Sequence, residues 1–355
     1  MKASTGRMIR KTLLLCISVI SFSLVGVNAC NSTANADLLS SQAEARAQAQ
    51  REQAERERQQ NLSVWESDLC DASRFKLNVK ATEQERKIAR SFAKTFERRL
   101  KDGNIYIHYL LSELKKNDLP IELVAIPMLE SGLNTKAKSR SGAHGMWQYM
   151  RHTGNSLGLH KEGNYDEIYD FTEATKASLK YFKHLYEVMD HNWDLAAAAY
   201  NQGEYGVKRA LENAKARGVK DININTVKIS PAARAYVNRF HAFADLLKNP
   251  QSYGITPPHI KNRPAFKRVE IAGRIDSMKK ASEMSGVSLE TLKVLNAGYL
   301  SDSLKSGSNH GLIVPVANAS RLESAIESYK VSPRNDTADN RKTAEADKKQ
   351  TDVKL

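Results

Sequence analysis

Three short stretches of this 355-residue chain carry side chains that packing alone does not require. The first is Glu130-Ser131, at the end of an apolar segment that Gly132 closes. A carboxylate at the C-terminal end of a helix faces the negative end of the helix dipole, and partial burial disfavours its charge further. Both effects raise its pKa and favour the protonated form, which can donate to a leaving oxygen. The alternative is a surface glutamate without a chemical role.

The second stretch, residues 139–148, combines the glycines Gly142 and Gly145 with Trp147 and Gln148. Glycines allow a ligand or another backbone segment to approach closely, and Trp and Gln side chains can stack on a sugar and hydrogen-bond it. A tight turn around a core tryptophan would explain the same residues.

The third stretch, residues 198–203, ends an alanine-rich helix with Tyr200, Asn201 and Gly203. Close helix packing explains the alanines, and the glycine ends the helix. Neither accounts for the adjacent Tyr200 and Asn201, which makes them candidates for a binding site.

Together the three stretches resemble the catalytic domain of the soluble lytic transglycosylase family, a relative of goose-type lysozyme. The family's pattern is Glu-Ser, then Ser-x-x-Gly-Ala-x-Gly-x-x-Gln, then Ala-Tyr-Asn-x-Gly, and all three occur here in that order. The Gly-Met-Trp-Gln form of the loop is similar to that of membrane-bound members. The resemblance covers about residues 63–316 and implies a lysozyme-like, mainly α-helical fold.

The resemblance implies a role for each matching residue. Glu130 would be the single catalytic acid and base of an enzyme that cleaves peptidoglycan glycan strands. A tyrosine expected near that glutamate is Tyr236, but the Glu-Thr pair that usually precedes it is replaced here by Ala232 and Ala233. The positions implied to bind the substrate are Ser131, Ser139, Gly145, Met146, Gln148, Tyr200, Asn201 and Tyr236.

One acid rather than two shapes the implied mechanism. Most glycosidases pair two carboxylates, whereas Glu122 and Glu204 fall outside the three stretches. Glu130 would protonate the oxygen between N-acetylmuramic acid and N-acetylglucosamine, then accept the proton of the muramic acid 6-hydroxyl. The product is a 1,6-anhydro end, formed without water, metal or cofactor. The alternatives are a lysozyme-type hydrolase and a non-catalytic envelope lipoprotein that binds peptidoglycan.

The N-terminus is typical of a secreted protein. Basic residues precede an apolar run over residues 13–27, and the run ends at Ala29-Cys30. We expect residues 1–29 to be a signal peptide and Cys30 to be acylated, which implies an outer-membrane lipoprotein facing the periplasm and anchored to the membrane by lipid. A soluble periplasmic protein is the alternative. The formal charge of +14 favours an anionic partner. The secretion signal and the lack of a recognisable motif argue against nucleic acid.

Composition and periodicity divide the rest of the chain. After the signal peptide, the expected parts are a polar tether (30–62), a helical catalytic domain (63–251), a proline-containing linker (252–264), a small module (265–318) and a disordered tail (331–355). The module reads as strand, two helices and strand, and resembles a divergent LysM domain, a reader of N-acetylglucosamine chains. It would either bind glycan or pack on the catalytic domain as a structural appendage.

Overall fold

The computed structural model describes residues 31–77, 80–271, 273–304 and 310–331. The predicted signal peptide, Cys30 and residues 332–355 of the predicted tail lie outside these ranges. Within the described ranges, no helix has both the length and the apolar character needed to cross a membrane. The chain separates into two units, residues 1–56 and 57–355.

The first unit contains most of helix α1 (Asn31–Asn61). Its residues from Leu39 to Asn61 are exposed. Alanine, glutamine, glutamate and arginine favour a helix, but no apolar stripe is present that a neighbour could bury. The helical conformation of this segment and its exposure to solvent agree with its composition. Its role as a tether stays a prediction.

The second unit begins with a mainly helical region, as the pattern predicts. Its helices are α2 (Val64–Ser67), α3 (Glu83–Asp102), α4 (Asn104–Lys116), α5 (Ala125–Glu130), α6 (Arg151–Ser156), α7 (Phe171–Val188), α8 (Trp193–Gln202), α9 (Glu204–Ala216) and α10 (Pro231–Lys248). Two short antiparallel hairpins interrupt them, β1 (Ala143–His144) with β2 (Tyr149–Met150) and β3 (Lys161–Glu162) with β4 (Tyr165–Asp166).

The segment before Glu130 differs from expectation. The sequence predicts one helix over residues 120–132 with a kink at Pro127, but a 3₁₀ turn over Ile121–Val124 precedes the short helix α5. Proline lacks the N–H that would continue the hydrogen-bond ladder, and within the first turn of α5 that loss costs little. The break therefore falls before α5, which still ends at Glu130.

The C-terminal module has the predicted order of strand, two helices and strand. Strand β5 (Phe266–Val269) pairs antiparallel with β6 (Leu312–Pro315), and α11 (Met278–Ser285) and α12 (Leu289–Leu295) lie between them in sequence. A final helix, α13 (Val316–Val331), was not predicted. Its Leu322 and Ile326 are buried in the module's core, so the expected boundary at residue 318 is too early.

A half-buried histidine on α10 joins this helix to α3 and α8. His241 on α10 lies 2.7 Å from Glu85 Oε1 on α3 and 2.8 Å from Asp194 Oδ1 on α8. Burial alone would lower the pKa of His241, but the hydrogen bonds and charges of Asp194 and Glu85 outweigh it and raise the pKa to about 9. The imidazolium therefore donates to both carboxylates at neutral pH.

Replacing this histidine should destabilise the fold in a pH-dependent way. At about pH 6, His241→Gln should lower the free energy of unfolding by roughly 3 kcal/mol or more, because two carboxylates lose their buried cation. The folded-state pKa lies above the ordinary value of 6.5. The histidine's contribution is therefore complete below about pH 6.5 and is lost as the pH rises through about 9.

Urea unfolding at about pH 6 and about pH 10 measures this dependence. The difference between wild type and His241→Gln should shrink at the higher pH. His160→Gln, which replaces an exposed histidine, is the matched control and should leave stability nearly unchanged at both. A wild-type-to-variant difference of the same size at both pH values would contradict the assignment.

Candidate active site

Glu130 is the last residue of α5, and a tyrosine from α10 holds its carboxyl group. The Tyr236 hydroxyl donates to Glu130 Oε1 at 2.7 Å, although the two residues are 106 positions apart. Tyr236 is 2% exposed and Glu130 is half-buried. Burial raises the pKa of Glu130, and the Tyr236 hydrogen bond and the charge of Arg239 offset only part of the rise. The carboxyl group is biased toward its protonated form, the direction expected from the sequence.

Glu130 faces a cleft of about 530 Å³. Residues from all three sequence stretches line it, namely Glu130, Ser139, Gln148, Tyr200 and Asn201. The other lining residues are Ser141, Ala143, Tyr149, Met150, His152, Thr153, Tyr181, Gln202 and Gly203. Among all of these, Glu130 is the one carboxylate. In the part of the chain that the structure describes, no group of three or more His, Cys, Asp or Glu side chains is arranged to hold a metal ion.

The wall formed by residues 139–148 is fixed by its own hydrogen bonds. Ser139 Oγ accepts from the backbone N–H of Ala143 at 2.9 Å. Gln148 has a φ of 54°, and its Nε2 donates to the carbonyl of Gly145 at 2.8 Å. Both polar side chains predicted to contact a sugar therefore reach the cleft with their orientation already set.

Gly145 serves backbone packing rather than ligand approach. Its φ is 74°, and a Cβ at this position would lie 2.1 Å from the carbonyl oxygen of Ile168. Only glycine fits such a contact. Gly145 was expected to bind substrate, but it is not among the cleft-lining residues, and its close neighbour is the backbone of Ile168 and Tyr169.

Ser131 and Met146 also act within the protein. Ser131 Oγ donates to the Met146 carbonyl at 2.7 Å and accepts from the backbone N–H of Asn134 at 3.1 Å. The Met146 side chain is 1% exposed, and neither residue lines the cleft. That these two residues orient the sugar stays a prediction. Their hydrogen bond joins the end of α5 to residues 139–148.

Trp147 is a core residue, so the expectation that it stacks on a sugar is wrong and the alternative, a turn around a core tryptophan, is right. It is 1% exposed, and its Nε1 donates to Thr175 Oγ1 at 3.0 Å. Its carbonyl accepts from the Tyr200 hydroxyl at 2.5 Å. The Tyr200 ring also stacks on Phe182, with centroids 4.8 Å apart. Tyr200 thus links the third stretch to the second, while the exposed Asn201 extends the cleft wall.

Several cleft residues were missed by sequence reasoning. Met150 is 40% exposed, which is unusual for a large apolar side chain, and lies where the cleft wall turns into α6. His152 and Thr153 follow it on α6, and Tyr181 comes from α7. Helical periodicity does not indicate that Tyr181 faces a cleft. It identifies only its neighbour Phe182 as a core residue. Only the packing of α7 beside the loop shows that Tyr181 reaches the cleft.

Two family models match the chain. The transglycosylase SLT domain matches residues 110–223, which include Glu130 and all three stretches. Residues 110–223 thus belong to the transglycosylase SLT domain family. The LysM-like domain of lytic transglycosylase MltD matches residues 265–331. That range includes α13, in agreement with the packing of this helix in the module.

Curated relatives agree with this membership. Membrane-bound lytic murein transglycosylase D of Escherichia coli (strain K12) is 32% identical over 226 residues, which cover 64% of this chain and 50% of that protein. The chain thus spans about half the length of that relative. A protein of Alteromonas sp. (strain M-1), whose name refers to tributyltin chloride resistance, is 30% identical over 182 residues, covering 50% of this chain and 85% of that protein.

Among solved structures, the 70 kDa soluble lytic transglycosylase Slt70 of Escherichia coli is similar to part of the chain. It is 19% identical, with a TM-score of 0.35, and the match covers 53% of this chain and 33% of that one. A similarity of that size is too low to bear on the site.

Removing the tyrosine hydroxyl should raise the pKa of Glu130. The Tyr236 hydroxyl donates to the carboxylate and so favours its ionised form. In Tyr236→Phe that stabilisation is lost while burial remains, so the carboxyl group should titrate at higher pH than in the wild type. Carbon-detected NMR of glutamate carboxyl groups measures both titrations.

Tyr181→Phe is the matched control for that measurement. Tyr181 lines the same cleft but is not the tyrosine that donates to Glu130. Its loss should leave the Glu130 titration close to that of the wild type. An unchanged or lowered pKa of Glu130 in Tyr236→Phe would rule out the hydrogen bond as the control on this group.

Proposed function

We propose that this protein is a peptidoglycan lytic transglycosylase that cleaves the β-1,4 bond between N-acetylmuramic acid and N-acetylglucosamine without water. The observation that carries the proposal is Glu130, a carboxyl group with a raised pKa that opens into a cleft lined by the three family stretches. Membership of the SLT domain family and the similarity to murein transglycosylase D support it.

Glu130 is suited to act first as acid and then as base. Protonated, it can donate to the glycosidic oxygen as the bond to the muramic acid breaks and positive charge develops on the sugar. The resulting carboxylate can then accept the proton of the muramic acid 6-hydroxyl, whose oxygen closes the 1,6-anhydro ring. Tyr236 donates to Glu130 Oε1 and so stabilises the carboxylate after the first transfer.

The surroundings favour this route over hydrolysis by paired carboxylates. A retaining or inverting glycosidase usually needs a second carboxylate across the bond. Glu204, the nearest in sequence to the third stretch, lies with its Oε1 2.9 Å from His184 Nε2 and does not line the cleft. Glu122 is 1% exposed and accepts from the backbone N–H of Leu77. Neither supplies that second group.

The cleft has the chemistry of a glycan site. Ser139, Gln148 and Asn201 present polar groups, and Tyr181 and Met150 supply apolar surface. Sugars offer both hydroxyl or amide groups and apolar ring faces, so they suit such a mixture. The LysM-like module also supports a peptidoglycan partner, because domains of this type are associated with glycan chains.

The proposed location is the outer membrane, facing the periplasm. The basic and apolar pattern of residues 1–29 and the Cys30 after Ala29 support secretion followed by lipid attachment. A net charge of +14 favours association with the anionic wall polymer, and the family relative is named as membrane-bound. Mass spectrometry of the protein purified from membranes would detect acylation at Cys30, and a free mature N-terminus would refute it.

Product chemistry tests the activity. The chain from Asn31 onward should convert purified peptidoglycan into muropeptides lighter by one water than reducing-end forms, as mass spectrometry would show. Glu130→Gln should lower this turnover by roughly 10²-fold or more, because an amide cannot transfer the proton. Binding to insoluble peptidoglycan should persist, since the amide fills the same volume.

Glu212→Gln provides the control, because Glu212 is an exposed glutamate on α9. It should retain wild-type turnover. Ordinary reducing ends from the wild type would identify a lysozyme-type hydrolase instead. Binding without any cleavage would identify a non-catalytic wall-binding protein. Substantial turnover by Glu130→Gln would remove Glu130 from its proposed role.

A further inference from the structure

Residues 161–172 connect two walls of the cleft, and we call them the bracing segment. The segment runs from hairpin β3–β4 to the start of α7. Helix α6, before it, contributes His152 and Thr153 to the cleft, and α7, after it, contributes Tyr181. Any displacement of the bracing segment would therefore move both walls.

The C-terminal module contacts the bracing segment through backbone hydrogen bonds. The backbone N–H of Asp166 donates to the Gly298 carbonyl at 2.8 Å, and the Leu300 N–H donates to the Asn164 carbonyl at 2.9 Å. The Asn164 side chain adds a bond to the Ser303 carbonyl at 2.6 Å. The two backbone bonds form one isolated antiparallel β-bridge, between Tyr165 and Tyr299.

The bracing segment also places a side chain inside the module. Tyr165 is 3% exposed and belongs to the module's hydrophobic core, not to that of the catalytic domain. Its ring meets Tyr299 edge-on with centroids 4.7 Å apart. A Cβ on Gly298 would lie 2.8 Å from Tyr165 Cζ, so the glycine leaves room for this ring.

A buried ion pair fixes the far end of the bracing segment. Arg268 on β5 donates from Nη2 to Asp170 Oδ2 and to Thr172 Oγ1, each at 2.6 Å. Asp170 is the N-cap of α7, and its Oδ1 accepts from the Thr172 N–H at 2.9 Å. Burial would raise the pKa of Asp170, but the charge and bonds of Arg268, Tyr165 and Thr172 lower it.

From the bracing segment, two contacts continue to the cleft wall. Arg151, the first residue of α6, makes a two-pronged ion pair with the buried Asp166, at 2.8 and 2.6 Å. The Ile168 carbonyl packs against Gly145, where no side chain would fit. Gln148 and Met150, which line the cleft, lie between Gly145 and Arg151 in sequence.

We infer that the LysM-like module helps to position the walls of the catalytic cleft. It acts through the bracing segment, and Arg151 joins that segment to the cleft wall. The inference rests on the proposed function for what the cleft binds. It assigns the module a task in glycan placement beside, and independent of, any glycan binding of its own. Glu130 and Tyr236 lie on α5 and α10, outside this chain of contacts.

Full-length variants separate this role from a merely structural one. In Arg151→Met the wall loses its two-pronged anchor, so KM for soluble glycan fragments should rise about tenfold, in line with the cost of small misplacements in a site. The pH dependence of kcat should remain that of the wild type, because Glu130 keeps its surroundings. Arg151→Lys retains one charged contact and should recover part of the loss.

Gly298→Ala changes the contact between the module and the bracing segment from the side of the module. The added methyl group displaces the Tyr165 ring, and Gly298 does not line the cleft. A severalfold rise in KM from this distant change is expected. Arg209→Met, which removes an exposed cation from α9 outside the bracing segment and the module, is the matched control and should leave KM unchanged.

The outcomes separate this inference from the proposed function. Anhydro products from the wild type test the function, whereas the KM of the variants tests the positioning role. Binding of the same fragments to Glu130→Gln with and without Arg151→Met gives that comparison without turnover. Wild-type KM and affinity in both Arg151→Met and Gly298→Ala would overturn the inference. So would a loss confined to thermal stability and to the folded fraction, with KM unchanged.

Discussion

The site depends on one constraint: a carboxyl group must be buried enough to keep its proton and open enough to reach a polymer. Placing Glu130 on the last turn of a short helix satisfies both, because the helix is buried and its end faces the cleft. The buried Tyr236 hydroxyl then supplies a donor that water would otherwise have to provide. The packing of α10 against α5 therefore sets the chemistry as well as the stability of the site.

Much of the family pattern also holds the protein's own backbone in place. Ser131 binds the Met146 carbonyl, Tyr200 binds the Trp147 carbonyl, and Gln148 binds the Gly145 carbonyl. These carbonyls lie in a loop, where no helix or sheet supplies a regular hydrogen-bond partner. A buried polar group without a partner lowers the stability of the fold. Residues that look like sugar ligands in sequence therefore hold the wall in which a smaller number of side chains reaches the cleft.

The sequence predicted what local periodicity and motif order determine. The helical pattern predicts helices over residues 171–189, 204–217 and 232–247, and the bounds of α7, α9 and α10 agree within one residue. The direction of the Glu130 pKa follows from its place at a buried helix end. The sequence did not predict the long-range packing. The sequence pointed to Tyr236 beside Glu130 only through family resemblance. It left open whether Trp147 would lie in the core, and it did not indicate that Tyr181 would reach the cleft. Helix α13 was missed because its apolar residues are too sparse to stand out.

The β-bridge between the module and hairpin β3–β4 has a consequence for how the chain folds. The two family models match separate ranges of the chain, residues 110–223 and 265–331. Tyr165 lies in the first range, but its side chain is part of the hydrophobic core formed by the second. Without the module, β4 would present bare N–H and C=O groups and an uncovered aromatic ring, the kind of edge that recruits other chains into aggregates. We therefore expect the two matched domains to unfold together as one cooperative unit.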